Sequence, residues 1–382
     1  MTSAAPAAKP RSYLHPFADA RILLPAITAL GLLLRCLFLD SKSFWMDEGF
    51  SAYMARAHYP SFLNFVRHGE INMAAYYVLL RLWTHWSMGE SFIRLLSVIG
   101  SAATIPLVYL IGKRLFTPRA GLIAATLLAV HPGHIEYAQE ARSYALAVFL
   151  VCLSSLFLLR CLSQDRPRDY AFFCGAAVLA IYSHILAALI PLAQLPAALR
   201  RLATRSWLPF AVACLCGALL LLPAAFIVWT TGSSSAQWIP PLSLHMLLRV
   251  WWLLTVGRFG WIYLLAWLAA LWNGSRYTRS EQRWPLAFLL CWLLLPFAFL
   301  LAISIFKPLL VPRFLLFCVP AAALLAAQGV NSLHRPSNWL LFALIVAASL
   351  AGVRSYYRRP KPDWRAAAAQ ILAQSRSGDA VL

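Results

Sequence analysis

The run from Ile22 to Asp40, ILLPAITALGLLLRCLFLD, and the stretch Ser43 to Tyr53 beyond it, SFWMDEGFSAY, decide together what kind of chain this is. The first is apolar from Ile22 to Leu39 apart from Arg35 and is long enough to enter a bilayer. The second sets two adjacent carboxylates, Asp47 and Glu48, among Phe44, Trp45, Met46 and Phe50. The whole chain of 382 residues holds only 13 acidic ones. Carboxylates in such aromatic company incur a desolvation cost that bulk solvent does not repay, so the pair marks a functional site.

Outward from this stretch, the composition agrees. The chain is 61% hydrophobic and 12% charged, with a mean hydropathy of +0.69, and apolar runs recur from Ile22 to Val353. This is an all-α polytopic membrane protein rather than a soluble domain. A net charge of +20 would suit nucleic acid, but the Lys and Arg stand in short clusters between apolar runs, as topology requires, and nucleic acid is excluded as a partner. The eight cysteines lie mostly inside apolar runs and form no CxxC pair, which predicts neither a disulfide framework nor a thiolate metal site.

Residues 1–21 read as a cytoplasmic tail and Ile22–Leu39 as an uncleaved signal anchor, because the apolar run ends in Arg-Cys-Leu-Phe-Leu-Asp and not in a small-residue cleavage site. Basic clusters then recur at every second turn: Lys113, Arg114 and Arg119; Arg160, Arg166 and Arg168; Arg200, Arg201 and Arg205; Arg276, Arg279 and Arg283; and a lone Arg335. The pattern predicts about 11 spans over residues 22–353, with two short ones meeting near Ser183-His184, the amino terminus inside and the carboxyl terminus outside. Ala74–Trp86 and His245–Phe259 mix aromatic with basic residues, as helices lying at the membrane interface do. Residues 354–382 read as a short outer segment, resembling the helix and first strand of a truncated soluble domain.

Acid gathers on the outer side. Asp40, Asp47, Glu48, Glu70, Glu90, Glu136 and Glu140 all fall in or beside the first two predicted outer loops. The second of these, His131 to Tyr144, crowds His131, His134, Glu136, Glu140 and Arg142 between apolar runs, which no span requires. Its spacing is not that of a zinc enzyme. If a divalent metal is held, oxygen ligands such as Asp47 or Glu136 suit magnesium or manganese.

Trp45-Met-Asp-Glu48 after the first span, Tyr137-Ala-Gln-Glu-Ala-Arg-Ser-Tyr144 at the second outer turn and Tyr182-Ser-His184 at the third resemble the bacterial GT-C glycosyltransferases of family 39, a group similar to protein O-mannosyltransferases and to lipid A aminoarabinose transferases. The resemblance covers nearly all of the membrane part. It implies a GT-C-type bundle that moves a sugar from a polyprenyl-phosphate donor to a lipid, glycan or protein acceptor at the outer face of a bacterial inner membrane. It also implies that the acidic residue of the first outer loop, here Asp47 with Glu48 beside it, is the catalytic base, and it favours inversion of the sugar by that single base over retention.

The chemistry asks for the same parts. An acceptor hydroxyl needs a base, and the departing phosphate needs positive charge. Arg142 can supply that charge through its planar fork, and so can Arg313 and Lys307 in the turn before the tenth span. Plainer roles stand beside these: Arg142 pairing with Glu136 or Glu140, Arg313 and Lys307 snorkelling to the interface, and His184 hydrogen-bonded within its turn. Tyr144, Trp238 and Arg258 complete the expected substrate surroundings. A carrier or flippase of lipid-linked sugar is the alternative, but it calls for polar residues in broken helices near mid-membrane, whereas here they stand in outer loops.

Overall fold

The structure, a computed structural model, describes residues 20–67, 71–202, 207–231 and 238–376. Among the described residues every regular element is a helix. After α1 (Ala20–Cys36) come three short helices of the first outer loop, α2 (Met46–Arg56), α3 (Tyr59–Phe65) and α4 (Ala74–Trp83). The bundle follows as α5 (Glu90–Leu115), α6 (Pro118–Ala129), the short α7 (Pro132–Ala138), α8 (Tyr144–Gln164), α9 (Pro167–Ser183), α10 (Leu189–Leu202) and α11 (Leu208–Thr231). Then α12 (Leu244–Leu254) and α13 (Gly260–Ser275) meet at 82°, and α14 (Ser280–Phe306), α15 (Val319–Ser332), α16 (Ser337–Arg358) and α17 (Trp364–Gln374) complete the chain.

Local chemistry explains several boundaries. Thr117 caps α6 by accepting from the Ala120 N–H, with Pro118 at the first helical position, where a missing N–H costs nothing. α9 and α10 are joined at His184, as the sequence predicts, with a short 3₁₀ turn at Ile185–Ala188. α5 and α6 approach so closely at Gly112 and Gly121 that a Cβ on Gly121 would lie 2.6 Å from the Tyr109 carbonyl oxygen, and Gly329 of α15 abuts the Ala266 carbonyl of α13 in the same way. Small residues at such crossings let membrane helices gain van der Waals contact where lipid gives no hydrophobic drive.

Burial sorts the helices. The 18-residue apolar window of the segment Pro312–Ser332 is 89% buried, that of Leu208–Thr230 only 11%. The α15 segment is therefore the axis of the bundle, and α11 faces lipid. Among the described residues, seven helices, or eight if the bent pair α12 and α13 makes one span, are long and apolar enough to cross a membrane. The expected count of 11 is not reached on these criteria. It needs α1, α6 and α9 to cross as well, at 17, 12 and 17 residues. α6 is almost wholly packed against protein, so nothing requires it to match the lipid's full thickness.

The chain is a multi-pass membrane protein whose helices alternate in direction. The loops bearing Asp47, His131 to Tyr144 and Arg313 meet at one end, and the basic clusters around Arg114, Arg166, Arg201 and Arg279 stand at the other. The amino-terminal tail up to residue 19, Glu70, Arg205, residues 232–237 of the Thr230–Pro241 loop and the strand expected at Ser377–Leu382 lie outside the described residues.

Candidate active site

At the end where these loops meet, the two neighbouring carboxylates part company. Glu48 is fully buried and takes a bidentate grip from Arg94, with Arg94 Nε to Oε1 and Nη2 to Oε2 both at 2.8 Å. It also accepts from the Ala141 N–H at 2.9 Å. Arg94 continues around the loop before α2, donating to the carbonyls of Leu39 at 2.9 Å, Lys42 at 2.6 Å and Ser43 at 3.1 Å. The pair thus ties the first outer loop to α5 and to the second outer turn. Sequence reasoning missed Arg94, although a charge just inside an apolar run at Phe92-Ile-Arg94-Leu was a visible signal.

Asp47 is different. Its carboxylate is partly open, and Oδ2 lies 3.7 Å from Arg142 Nη2 and 3.6 Å from Arg313 Nη1. These separations are ion-pair distances too long for hydrogen bonds, so neither guanidinium is saturated by the carboxylate. Arg142 reaches the Asp47 carbonyl at 3.3 Å and the Tyr77 hydroxyl at 3.5 Å. Arg313 stands over three rings, those of Trp238 at 4.9 Å, Trp45 at 5.8 Å and Tyr144 at 6.0 Å, and its buried Nε has no hydrogen-bond partner among the described residues. Three separate segments, α2, the start of α8 and the turn opening the α15 segment, therefore bring one carboxylate and two arginines to one point.

The remaining residues read from sequence divide by what they touch. Tyr144 is buried between Tyr137 and His184. His184 accepts from the Leu186 N–H and packs against Phe314 and Phe317; burial, with Arg142 and Arg313 nearby, pushes its pKa down to about 3 and keeps it neutral. His131 caps α7 by accepting from the His134 N–H, and burial likewise pushes it down to about 3. The His134 Nδ1 lies 2.9 Å from Arg35 and 3.0 Å from Ser101, which binds that ring to α1 and α5. Glu136 pairs with Arg359 and Glu140 with Lys361. Lys307 is exposed at the end of α14, and exposed Arg258 lies over the ring of Phe259.

The expected metal ligands do not assemble. Among the described residues, no three of His, Cys, Asp and Glu come together in a group able to hold an ion. Asp47 and Glu136 face different cations, and the two histidines are spent on a helix cap and on Arg35. The residues described at this site do not fit a metal.

Residues 72–229 match the family model described as dolichyl-phosphate-mannose-protein mannosyltransferase. Among solved structures, the chain is similar to ArnT from Cupriavidus metallidurans bound to undecaprenyl phosphate, at 16% identity and a TM-score of 0.61, over 86% of this chain and 63% of that one. It is also similar to the Archaeoglobus fulgidus oligosaccharyltransferase tethered to an acceptor peptide, at 13% identity and 0.61, over 93% and 57% of the two chains. Arabinosyltransferase EmbB from Mycobacterium smegmatis matches at 15% identity and 0.56, over 91% and 39%. A search of curated proteins finds no match. The fold is that of the GT-C glycosyltransferases, as the sequence motifs imply, and the chain spans less than two thirds of the length of each of these solved relatives.

Proposed function

We propose that the protein transfers a sugar from a polyprenyl-phosphate donor to an acceptor hydroxyl at the outer face of a bacterial cytoplasmic membrane, with Asp47 as the base. The observation that carries this reading is the loose triangle of Asp47, Arg142 and Arg313, partly open at the outer end of a GT-C bundle. ArnT bound to undecaprenyl phosphate has the same fold, which supports a lipid-phosphate donor.

In the proposed step the donor phosphate lies against Arg142 and Arg313, whose forks suit its oxygens. Asp47 Oδ2 takes the acceptor's hydroxyl proton as that oxygen forms its bond to the anomeric carbon. The bond from that carbon to the phosphate oxygen breaks, and its electron pair leaves with the polyprenyl phosphate. The two arginines stabilise the negative charge that develops there. Attack by the acceptor oxygen, activated by this single base and entering opposite the leaving phosphate, inverts the anomeric centre. Trp45, Tyr144 and Trp238 around Arg313 give the donor an apolar, ring-lined wall. Glu48, gripped by Arg94, holds the loop instead of sharing the chemistry, and the Asp47 carboxylate pairs with Arg142 and Arg313 rather than with Lys307 or Arg258.

The test is transfer of labelled sugar from a panel of polyprenyl-phosphate-sugar donors by purified protein in lipid, with Asp47→Asn as the variant and with chelator and divalent-metal arms. Abolished transfer with donor binding retained is the expected result. Full activity in Asp47→Asn overturns the assignment of the base. Movement of labelled lipid across proteoliposomes without turnover would establish a carrier instead.

A further inference from the structure

The segment between α16 and α17 crosses the outer end and grips both outer loops. Arg359 Nη1 lies 3.0 Å from Glu136, Lys361 Nζ 3.4 Å from Glu140, and Arg365 Nη2 2.9 Å from Glu90 and 3.6 Å from Asp40. Between these cations, Ser43 Oγ donates to the Pro362 carbonyl and accepts from the Trp364 N–H, both at 3.0 Å. Four acids that the sequence concentrates in the outer loops are thus answered by three cations of one short segment.

Two of these contacts stand one step from the proposed reaction centre. Glu140 precedes Ala141, whose N–H donates to Glu48, and the Arg142 N–H donates to the Glu140 carbonyl at 2.8 Å. Ser43 belongs to the loop that Arg94 wraps, just before the helix that carries Asp47. We propose that residues 359–365 are a strap that sets the spacing of Asp47 and Arg142, with Lys361 and Glu140 as its latch. Both are positioning residues that touch no reacting atom, and the activity readout rests on the glycosyl-transfer reading.

The latch is singled out by burial. The Arg359–Glu136 and Arg365–Glu90 pairs are open to solvent, where screening leaves an ion pair little force. Glu140 and Lys361 have side chains only 9% and 20% exposed, so losing either one strands the other. The groups facing Glu140 are Lys361 of the strap, Glu48 of α2, Glu136 and Tyr137 of α7, Tyr144 of α8 and Tyr356 of α16. Burial pushes the Glu140 carboxyl up to about 7; Lys361 opposes the rise, while Glu48 and Glu136 add to it. The stability contributed by the neutral form is complete below the ordinary carboxyl range and is lost as pH rises through about 7. Over that same rise the carboxylate that Lys361 holds is formed, so the latch closes above this pH and opens below it.

The experiment compares wild type, Lys361→Met, Lys361→Arg and Glu140→Gln by hydrogen exchange of the backbone amides and by the pH profile of sugar transfer. Expected is faster exchange at residues 40–48 and 139–143 in Lys361→Met with the bundle unchanged, an acid limb moved up by about half a pH unit or more, and restoration of both by Lys361→Arg. Glu140→Gln should exchange like Lys361→Met and abolish the pH shift, and it carries the exchange readout should Lys361→Met fail to fold. Unchanged exchange at 139–143 in the variants overturns the latch whatever the transfer assay gives. If wild type turns over no donor, the glycosyl-transfer reading fails alone, and exchange still decides the strap.

Discussion

Asp47 and Glu48 are neighbours in sequence and opposites in structure. Glu48 is sealed from solvent and held by a guanidinium at 2.8 Å through two parallel bonds; Asp47 is partly open and faces two guanidiniums at 3.6 and 3.7 Å that do not close on it. The tight pair has no capacity left for a ligand. In the loose cluster the Arg313 Nε has no hydrogen-bond partner among the described residues. In a membrane protein with few carboxylates, adjacency in the chain therefore says less about chemistry than the completeness of each group's hydrogen bonding.

The comparison can be broken first at Asp47. Asp47→Asn removes the proton acceptor but keeps shape, so transfer should fall by roughly 10²- to 10⁴-fold, the usual contribution of a positioned base, with the melting temperature unchanged. Equal losses from Asp47→Asn and Glu48→Gln, both in folded protein, would erase the distinction between the two carboxylates. Arg94→Ala should show the converse. It strands a buried carboxylate and frees three loop carbonyls, an effect of about 3–5 kcal/mol on stability, read as loss of monodisperse protein in detergent and a lowered unfolding midpoint.

How much of this was legible beforehand follows from range. The membrane class and the helix alternation rest on local hydropathy and charge, which a sequence displays directly. The meeting of Asp47 with Arg142 was readable because both belong to short motifs that carry the resemblance. The division of labour between Asp47 and Glu48 was not, because it depends on Arg94, 46 residues further on, and on the Ala141 amide, 93 residues on. Lys361 is more distant still, 221 residues from Glu140. A basic cluster after the last span read as an outer segment, and nothing local tells which acids it will meet. The count of 11 spans is not reached by length and hydropathy for a related reason: a helix such as α6, buried among others, need not be long enough to match the lipid's thickness.

The two arginines sharpen the comparison at a smaller scale. Arg313→Ala should lower kcat/KM for the donor about 10- to 100-fold, the range expected for a lost charge-assisted contact, with part of the loss in kcat because the guanidinium answers charge that develops in the transition state. Arg313→Lys should recover only part, since a point charge cannot reproduce the fork or stack over Trp238. Full recovery by lysine would mean that charge alone matters at this position.

The smallest effect lies at Trp238, whose exposed ring stands 4.9 Å from the Arg313 guanidinium. A cation over an indole face at an exposed site is worth about 0.5–1 kcal/mol, so Trp238→Ala should weaken donor binding by roughly two- to fivefold through Arg313's loss of orientation. That origin is separable from direct contact with the sugar. In an Arg313→Ala background the tryptophan would have no guanidinium to orient, and removing it should then cost nothing more. A second loss of the same size in that background would show that the ring meets the donor itself, and the wall around Arg313 would then belong to the binding surface in its own right.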